Sequence, residues 1–371
     1  LFPATSSLVI AVSAIRIVPE RNWSRSFIAT VRSECSWVFN AESVMGLSNP
    51  TGPRSGARVS ERATIVGMPV ADSLYAKRAI KTLGVAGVLG AGVLAYSLAE
   101  ARSYRLRSIV VPVLEPGSEP LLVLHLSDLH MTPRQTAKAG WIRALVDLEP
   151  DLVVATGDFL SHPDAVYPLV EALGPLLDVP GAFVLGSNDY YAPKFGNPLA
   201  YLLHPTNHDR GEPNLPWAEL KGALSAGGWI DLSNRRDHIK VDGRLIDVRG
   251  VDDPHIKRDH YEPIAGPFDP LADLALGVTH APYLRVLDAM ADDGAQLIMA
   301  GHTHGGQVAI PGYGALVTNC DLDPARVKGL SHHRNSLLHV SAGLGTNPMT
   351  PVRFACPPEA TLLTLVGRDT E

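Results

Sequence analysis

Five short apolar runs constrain this chain more than any other feature. They are Leu121–Ser127, Asp151–Thr156, Ala182–Leu185, Leu274–Thr279 and Gln296–Ala300, and each ends in a turn that carries Gly, Asp, Asn or His. Runs that are apolar at nearly every position, rather than at alternate ones, are buried on both faces. Between them lie segments with apolar residues at helical spacing. Gln135–Leu148 places Trp141, Ile142, Leu145, Val146 and Leu148 on one side and is closed by Pro150, and Ala165–Leu173, Trp217–Ala226 and Tyr283–Met290 follow the same rule. Strands alternating with helices predict an α/β sheet covered on both faces. Further strands are predicted at Arg105–Leu114, Leu337–Ser341 and Ala360–Val366. The shorter runs Ile230–Leu232, His238–Val241 and Leu245–Val251 are expected to build a second, more antiparallel sheet.

The turns after the apolar runs hold the chemistry. They present Asp128 and His130, then Asp158, Asn188 and His280, and finally Gly301-His302-Thr303-His304-Gly305-Gly306-Gln307. Singly, each residue has an ordinary explanation: Asp and Asn open turns, and a loop histidine is commonly just hydrogen-bonded. Ligands in open α/β sheets bind beyond the carboxyl ends of the strands, so neighbouring strand ends would gather these side chains. Two carboxylates, one amide and four imidazoles are too many donors for one tetrahedral zinc. The set suits two borderline divalent ions of higher coordination number, which together can clamp a displacement at phosphorus.

The order Asp-x-His, Gly-Asp, Gly-(Ser)-Asn-Asp, His, Gly-His-x-His resembles that of the calcineurin-like metallophosphoesterases. The resemblance covers roughly residues 120–366, and the ending Gly343-Leu-Gly345, Pro351-Val-Arg353 and Pro357-Pro358-Glu359 looks like the branch that contains membrane-associated bacterial phosphodiesterases. It implies a four-layer α/β/β/α sandwich with two mixed sheets. It further implies that Asp128, His130 and His304 hold a first metal, that Asp158 bridges, and that Asn188, His280 and His302 hold a second. A hydroxide between the ions would be the nucleophile, and the metals would be two divalent ions such as Mn, Fe or Zn.

One departure stands out. The family usually reads Gly-Asn-His-Asp, its histidine protonating the leaving group, where this chain reads Gly186-Ser187-Asn188-Asp189. Ungapped, Ser187 falls on the ligand position; shifted by one, Asn188 is the ligand and Asp189 follows. An amide oxygen is the better donor, which favours the shift. Under either alignment the usual acid is missing. Asp189 would need a raised pKa to replace it, and His204 or His208 in the long polar loop that follows are the other candidates. Gln307 and Tyr313 read as fold residues, and Tyr190-Tyr191 as either substrate-facing or core.

The first part of the chain differs in character. Residues 1–67 contain seven arginines and no lysine, and the chain starts at Leu1. They read as a disordered extension, or as sequence upstream of a natural start at Met68 or Met45. Residues 68–119 then hold an apolar stretch, 79–98, uncharged from Thr82 onward and flanked by Lys77, Arg78 and Lys81 on one side and Arg102, Arg105 and Arg107 on the other. Its length approaches the roughly 17–25 residues needed to span a bilayer. It is expected to be a single anchor in the cell membrane; a cleaved signal (a secreted protein) or a helix lying on the surface of a cytoplasmic one are the alternatives. Residues 120–371 form the catalytic domain.

Net charge is −6 over 371 residues, so no specific nucleic-acid binding is expected. Cys35, Cys320 and Cys356 are too far apart for a disulfide framework and read as structural thiols. No Gly-x-Ser-x-Gly elbow supports a serine hydrolase. The expected activity is two-metal hydrolysis of phosphoric esters, phosphodiesters first, lipid- or nucleotide-linked. A phosphomonoesterase or pyrophosphatase on the same metals, or a binding module with decayed chemistry, are the rivals.

Overall fold

The computed structural model describes residues 72–193, 211–315 and 318–369. The extension 1–67 with Met45 and Met68, and also His204 and His208, lie outside the described residues.

The apolar stretch is a helix, α1 (Asp72–Glu100), longer than the sequence reading at both ends. A 24-residue portion, Lys77–Glu100, is long and apolar enough to cross a membrane by length and composition. Its apolar side chains are not used on the domain: Leu83, Val88 and Leu89 are exposed, and burial begins only in the last turn, at Ser97 and Glu100.

The chain then enters β1 (Arg105–Leu114) and β2 (Leu121–Leu126), followed by α2 (Thr136–Arg143). The predicted helix 135–148 is shorter than expected, because Ala144–Leu148 tightens into a 3-10 turn and Glu149 turns left-handed ahead of Pro150. Next come β3 (Leu152–Thr156), α3 (Val166–Leu173), β4 (Gly181–Val184), the one-turn helix α4 (Ser187–Tyr190), α5 (Trp217–Ala226) and β5 (Ile230–Asp231). The second half holds β6 (Arg235–Val241), β7 (Arg244–Gly250), β8 (Leu274–Val278), α6 (Leu284–Asp292) and β9 (Leu297–Ala300). A small hairpin, β10 (Ala309–Ile310) and β11 (Gly314–Ala315), precedes β12 (Gly329–His333), β13 (Ser336–Val340) and β14 (Glu359–Gly367).

Two six-stranded mixed sheets result. The first runs β1-β14-β2-β3-β4-β5 and the second β12-β13-β9-β8-β7-β6. The second sheet is less antiparallel than its short runs suggested: β13, β9, β8 and β7 are mutually parallel, and only the edges β12 and β6 run against their neighbours. Ile230 also goes elsewhere, since β5 pairs parallel to β4 in the first sheet. A run that short carries no local signal of which sheet it joins.

Strand alternation explains the layers. In β2, Val123 points to the core between the sheets and Leu124 to the helices outside; in β8, Leu276 faces inward and Ala275 outward. Leu121, Val154, Val184, Val248, Leu276 and Met299 fill the space between the sheets. The outer face of the first sheet packs on α2, α3 and α5, and that of the second on α6. The architecture is the four-layer α/β/β/α sandwich, and it explains why the strands read as apolar at every position.

Candidate metal centre

The carboxyl ends of β2 and β3 continue side by side after the strands stop. Asp128 N donates to Gly157 O at 2.9 Å, His130 N to Asp158 O at 2.9 Å and Met131 N to Phe159 O at 2.7 Å. This extra pairing brings Asp128, His130 and Asp158 together. From the second sheet, Gly301 N donates to His280 O at 2.9 Å, so the ends of β8 and β9 deliver His280, His302 and His304 as a group. The two groups meet across the seam, where His280 Nδ1 lies 2.6 Å from Thr156 O.

Around Asp158 the distances are short. His130 Nε2 is 3.6 Å from its Oδ2 and His280 Nε2 is 3.5 Å from its Oδ1. His304 Nε2 lies 3.2 Å from His130 Nε2 and 3.5 Å from Asp128 Oδ1. The donor atoms of Asp128, His130, Asp158 and His304 all fall within 4.8 Å of one another. On the other side, His302 Nδ1 is 3.3 Å from His280 Nε2. Asn188 N and Nδ2 donate to Asp158 Oδ1 and Oδ2, each at 2.7 Å. Asn188, and not Ser187, is therefore the residue at Asp158. As drawn its amide nitrogen faces the carboxylate; an amide flip would turn the oxygen inward.

The backbone is strained where the donors sit. Asp128, His130, Asp158, His302 and His304 all have φ between 45° and 69°. Left-handed residues other than glycine persist only when surroundings hold them, and they gather at functional sites. Gly301 shows how close the two sheets come: a Cβ there would collide with Ser127 Oγ and stand 2.7 Å from Asp128 Oδ2.

Two observations fit a cation. Asp128 Oδ1 is buried without a hydrogen-bond partner, while Oδ2 accepts from Ser127 Oγ at 2.5 Å and His302 N at 3.0 Å. The outer nitrogens of three histidines are matched to oxygens: His130 Nδ1 to Ser161 Oγ, His280 Nδ1 to Thr156 O and His302 Nε2 to Asn319 O. With the outer nitrogen protonated, the inner one offers its lone pair to the centre. His304 differs, because its outer Nδ1 meets the Arg353 guanidinium at 3.2 Å.

Electrostatics agree. Burial depresses His130 to about 4 and holds His302 and His304 well below the usual histidine range, so these rings are neutral and ready to donate. Burial pushes Asp128 up to about 6. Burial also opposes the charge of Asp158, but His280 and His130 beside it and the two bonds from Asn188 hold it below the ordinary carboxylate range. His280 goes the other way: burial pulls it down, yet Asp158, Asp253 and Asp128 together raise it to about 9.

Asp189 takes a different part. Its Oδ1 accepts from Leu160 N at 3.0 Å and its Oδ2 from Gly186 N at 2.9 Å. Burial raises it to about 8, but both oxygens brace the turn that presents Asn188. Tyr190 is core rather than substrate-facing, with its hydroxyl on Asp252 and its ring under Arg258. Gln307 ties Thr350 and Val352 in place through Nε2, whereas Tyr313 is largely exposed rather than packed in the fold.

Residues the sequence reading passed over surround the centre. Arg353 is fully buried and donates to the carbonyls of Ala342, Gly343, Gly345 and Cys356 as well as to His304. His255 stacks on His302 at 4.5 Å, and Asp253, pushed up to about 7 by burial, has an unpartnered Oδ2. Both follow β7, so the rule that found the other strand ends would have reached them.

Comparison with known proteins followed the geometry. The calcineurin-like phosphoesterase family matches residues 121–306. The uncharacterised metallophosphoesterase YkuE of Bacillus subtilis is 27% identical over 72% of this chain and 85% of its own length. Phosphodiesterase YaeI of Escherichia coli is 25% identical over 67% and 84% respectively. A bovine transmembrane protein with a metallophosphoesterase domain is 28% identical over 54% of this chain and 44% of its own.

Proposed function

The chain belongs to the calcineurin-like phosphoesterase family and is a metallophosphoesterase; from that premise we propose that it is a phosphodiesterase held at a membrane by α1. The observation that carries this reading is the convergence on Asp158 of donors from both sheets.

Asp128, His130, Asp158 and His304 would hold one divalent cation, and Asp158, Asn188, His280 and His302 a second. When bound, such a pair supplies an activated water and takes up the charge that develops on phosphorus. The chain's own part is to fix the donors before substrate arrives. Ser127 and His302 N orient Asp128, Thr156 orients His280, Ser161 orients His130, and Arg353 holds the His304 loop. No described side chain stands at the position of the usual leaving-group acid: Asn188 has no proton to give, and Asp189 is engaged by two backbone N–H groups. Esters with stable leaving groups are thus the better substrates. The E. coli relative named a phosphodiesterase, and the bovine one named a transmembrane protein, support the diester preference and the anchor.

The test is turnover of bis- against mono-(p-nitrophenyl) phosphate by the Mn-loaded protein. Faster hydrolysis of the diester supports the proposal; a preference for the monoester would replace it with a phosphomonoesterase, and no metal-dependent hydrolysis of either would leave a binding module.

A further inference from the structure

The anchor helix does not end in a loose tether. Only residues 101–104 separate α1 from β1. Its last turn is gripped by one segment of the domain: Arg353 N donates to Ser97 O at 3.0 Å, Ala355 N donates to Glu100 Oε2 at 3.0 Å, and Phe354 packs edge-on against Tyr96 at 5.6 Å. The domain face that carries Phe354 is therefore held where α1 leaves its apolar stretch.

Phe354 belongs to the same strip as the metal loop. Ala309 N donates to Phe354 O at 2.9 Å and Phe354 N to Gln307 O at 3.0 Å. The β10–β11 hairpin, which starts five residues beyond His304, thus projects from beside the helix end. Its tip is apolar and open: Ile310 is 47% exposed and Tyr313 78%. Met349, 45% exposed, sits on the turn that Gln307 Nε2 fastens through Thr350 O. Isolated exposed apolar side chains are unremarkable, but these three adjoin a helix whose apolar surface is itself exposed. Tyr96, Arg102 and Arg105 at the same level supply the aromatic and cationic groups that favour a headgroup layer.

The metal centre opens toward this strip. Among the candidate histidine ligands His304 alone is not classed as buried, with 14% of its side chain exposed. Its loop leads straight into the hairpin.

Resting on the reading of the chain as an anchored phosphodiesterase, we propose that Ile310, Tyr313 and Met349 insert into the interfacial layer of the bilayer that α1 crosses. The centre then faces the lipid surface, and its substrate is an amphiphilic phosphodiester presented from that bilayer rather than a free nucleotide. The apolar tip supplies burial, and the exposed arginines supply attraction to an anionic surface.

The experiment uses the full chain reconstituted in phosphatidylcholine–phosphatidylglycerol vesicles. Tyr313→Trp is compared with the unsubstituted protein for quenching by lipids brominated on the acyl chain near the headgroup. The added indole should be quenched; an unquenched indole overturns the docking, whatever the enzyme does. In parallel, hydrolysis of a diacylglycerol p-nitrophenyl phosphodiester in the vesicle is measured against soluble bis(p-nitrophenyl) phosphate. Ile310→Asp with Tyr313→Asp should lower the ratio of lipid-borne to soluble turnover about tenfold. An unchanged ratio overturns the substrate assignment. If the unsubstituted protein turns over neither ester, the phosphodiesterase reading has failed, and quenching still decides the docking.

Discussion

His280 makes a quantitative test of the metal assignment. With no cation bound, burial disfavours its charge, but Asp158, Asp253 and Asp128 outweigh burial and raise its pKa to about 9. The proton sits between Thr156 O, 2.6 Å from Nδ1, and Asp158 Oδ1, 3.5 Å from Nε2. A proton on Nε2 and a divalent cation compete for one lone pair. At pH 7 the proton is favoured by about two pH units, so cation binding there should be roughly 100-fold weaker than above pH 9, about 3 kcal/mol. Titration with Mn in two buffers of different ionisation heat counts the protons: about one released near pH 7.5 and none above about pH 9.5. Stability of the metal-free protein carries the same signature. The folded pKa lies above the ordinary 6.5, so the contribution is complete below about pH 6.5 and lost as pH rises through about 9, again about 3 kcal/mol. The lowered pKa of Asp158 is the same attraction seen from its partner and is counted once. Melting temperature of the metal-free protein should fall across that interval, and that of the Mn-loaded protein should not. Release of no proton at pH 7.5, or a flat melting temperature without metal, would refute the assignment of His280.

Three substitutions probe other parts of the centre. Asn188→Ala should lower bound metal from two ions toward one by elemental analysis and cut turnover roughly 10–100-fold; full occupancy would remove Asn188 from the ligand set. Gly301→Ala forces a methyl group against Ser127 Oγ and should destabilise the protein by about 1–3 kcal/mol in urea titrations, with an unchanged midpoint contradicting the close approach. Arg353→Met strips the only side-chain donor from a ring of carbonyls at Ala342, Gly343 and Gly345 and should cost about 3–5 kcal/mol by the same measurement. A loss below about 1 kcal/mol would show that the ring is hydrated instead.

Much of this was legible in the residues because both the fold and the centre follow from local pattern. An apolar run that stops at Asp, Asn or His names a strand, its direction and the end where chemistry belongs, so Asp128, Asp158, His280 and His302 could be read before any geometry. What escaped depends on partners distant in sequence. Ile230 joins the first sheet through β4, and nothing in a two-residue strand announces that. Arg353 looks like any surface arginine until Gly343 and Gly345 curl their carbonyls around it. Asp189 reads as an acid, and only the N–H groups of Leu160 and Gly186 reveal a brace. The exposure of Tyr313 was equally hidden, because a lone tyrosine between glycines has no period to place it.

The seam between the two sheets has a consequence for assembly. Asp128, His130, Asp158 and Asn188 arrive from one sheet, and His280, His302 and His304 from the other. Neither half alone carries a full coordination sphere for either ion. A cation held across the join acts as a rivet, so its uptake and the locking of the two sheets into register are one equilibrium. Chelation would loosen the sandwich along this line first, while the packed helices outside stayed in place.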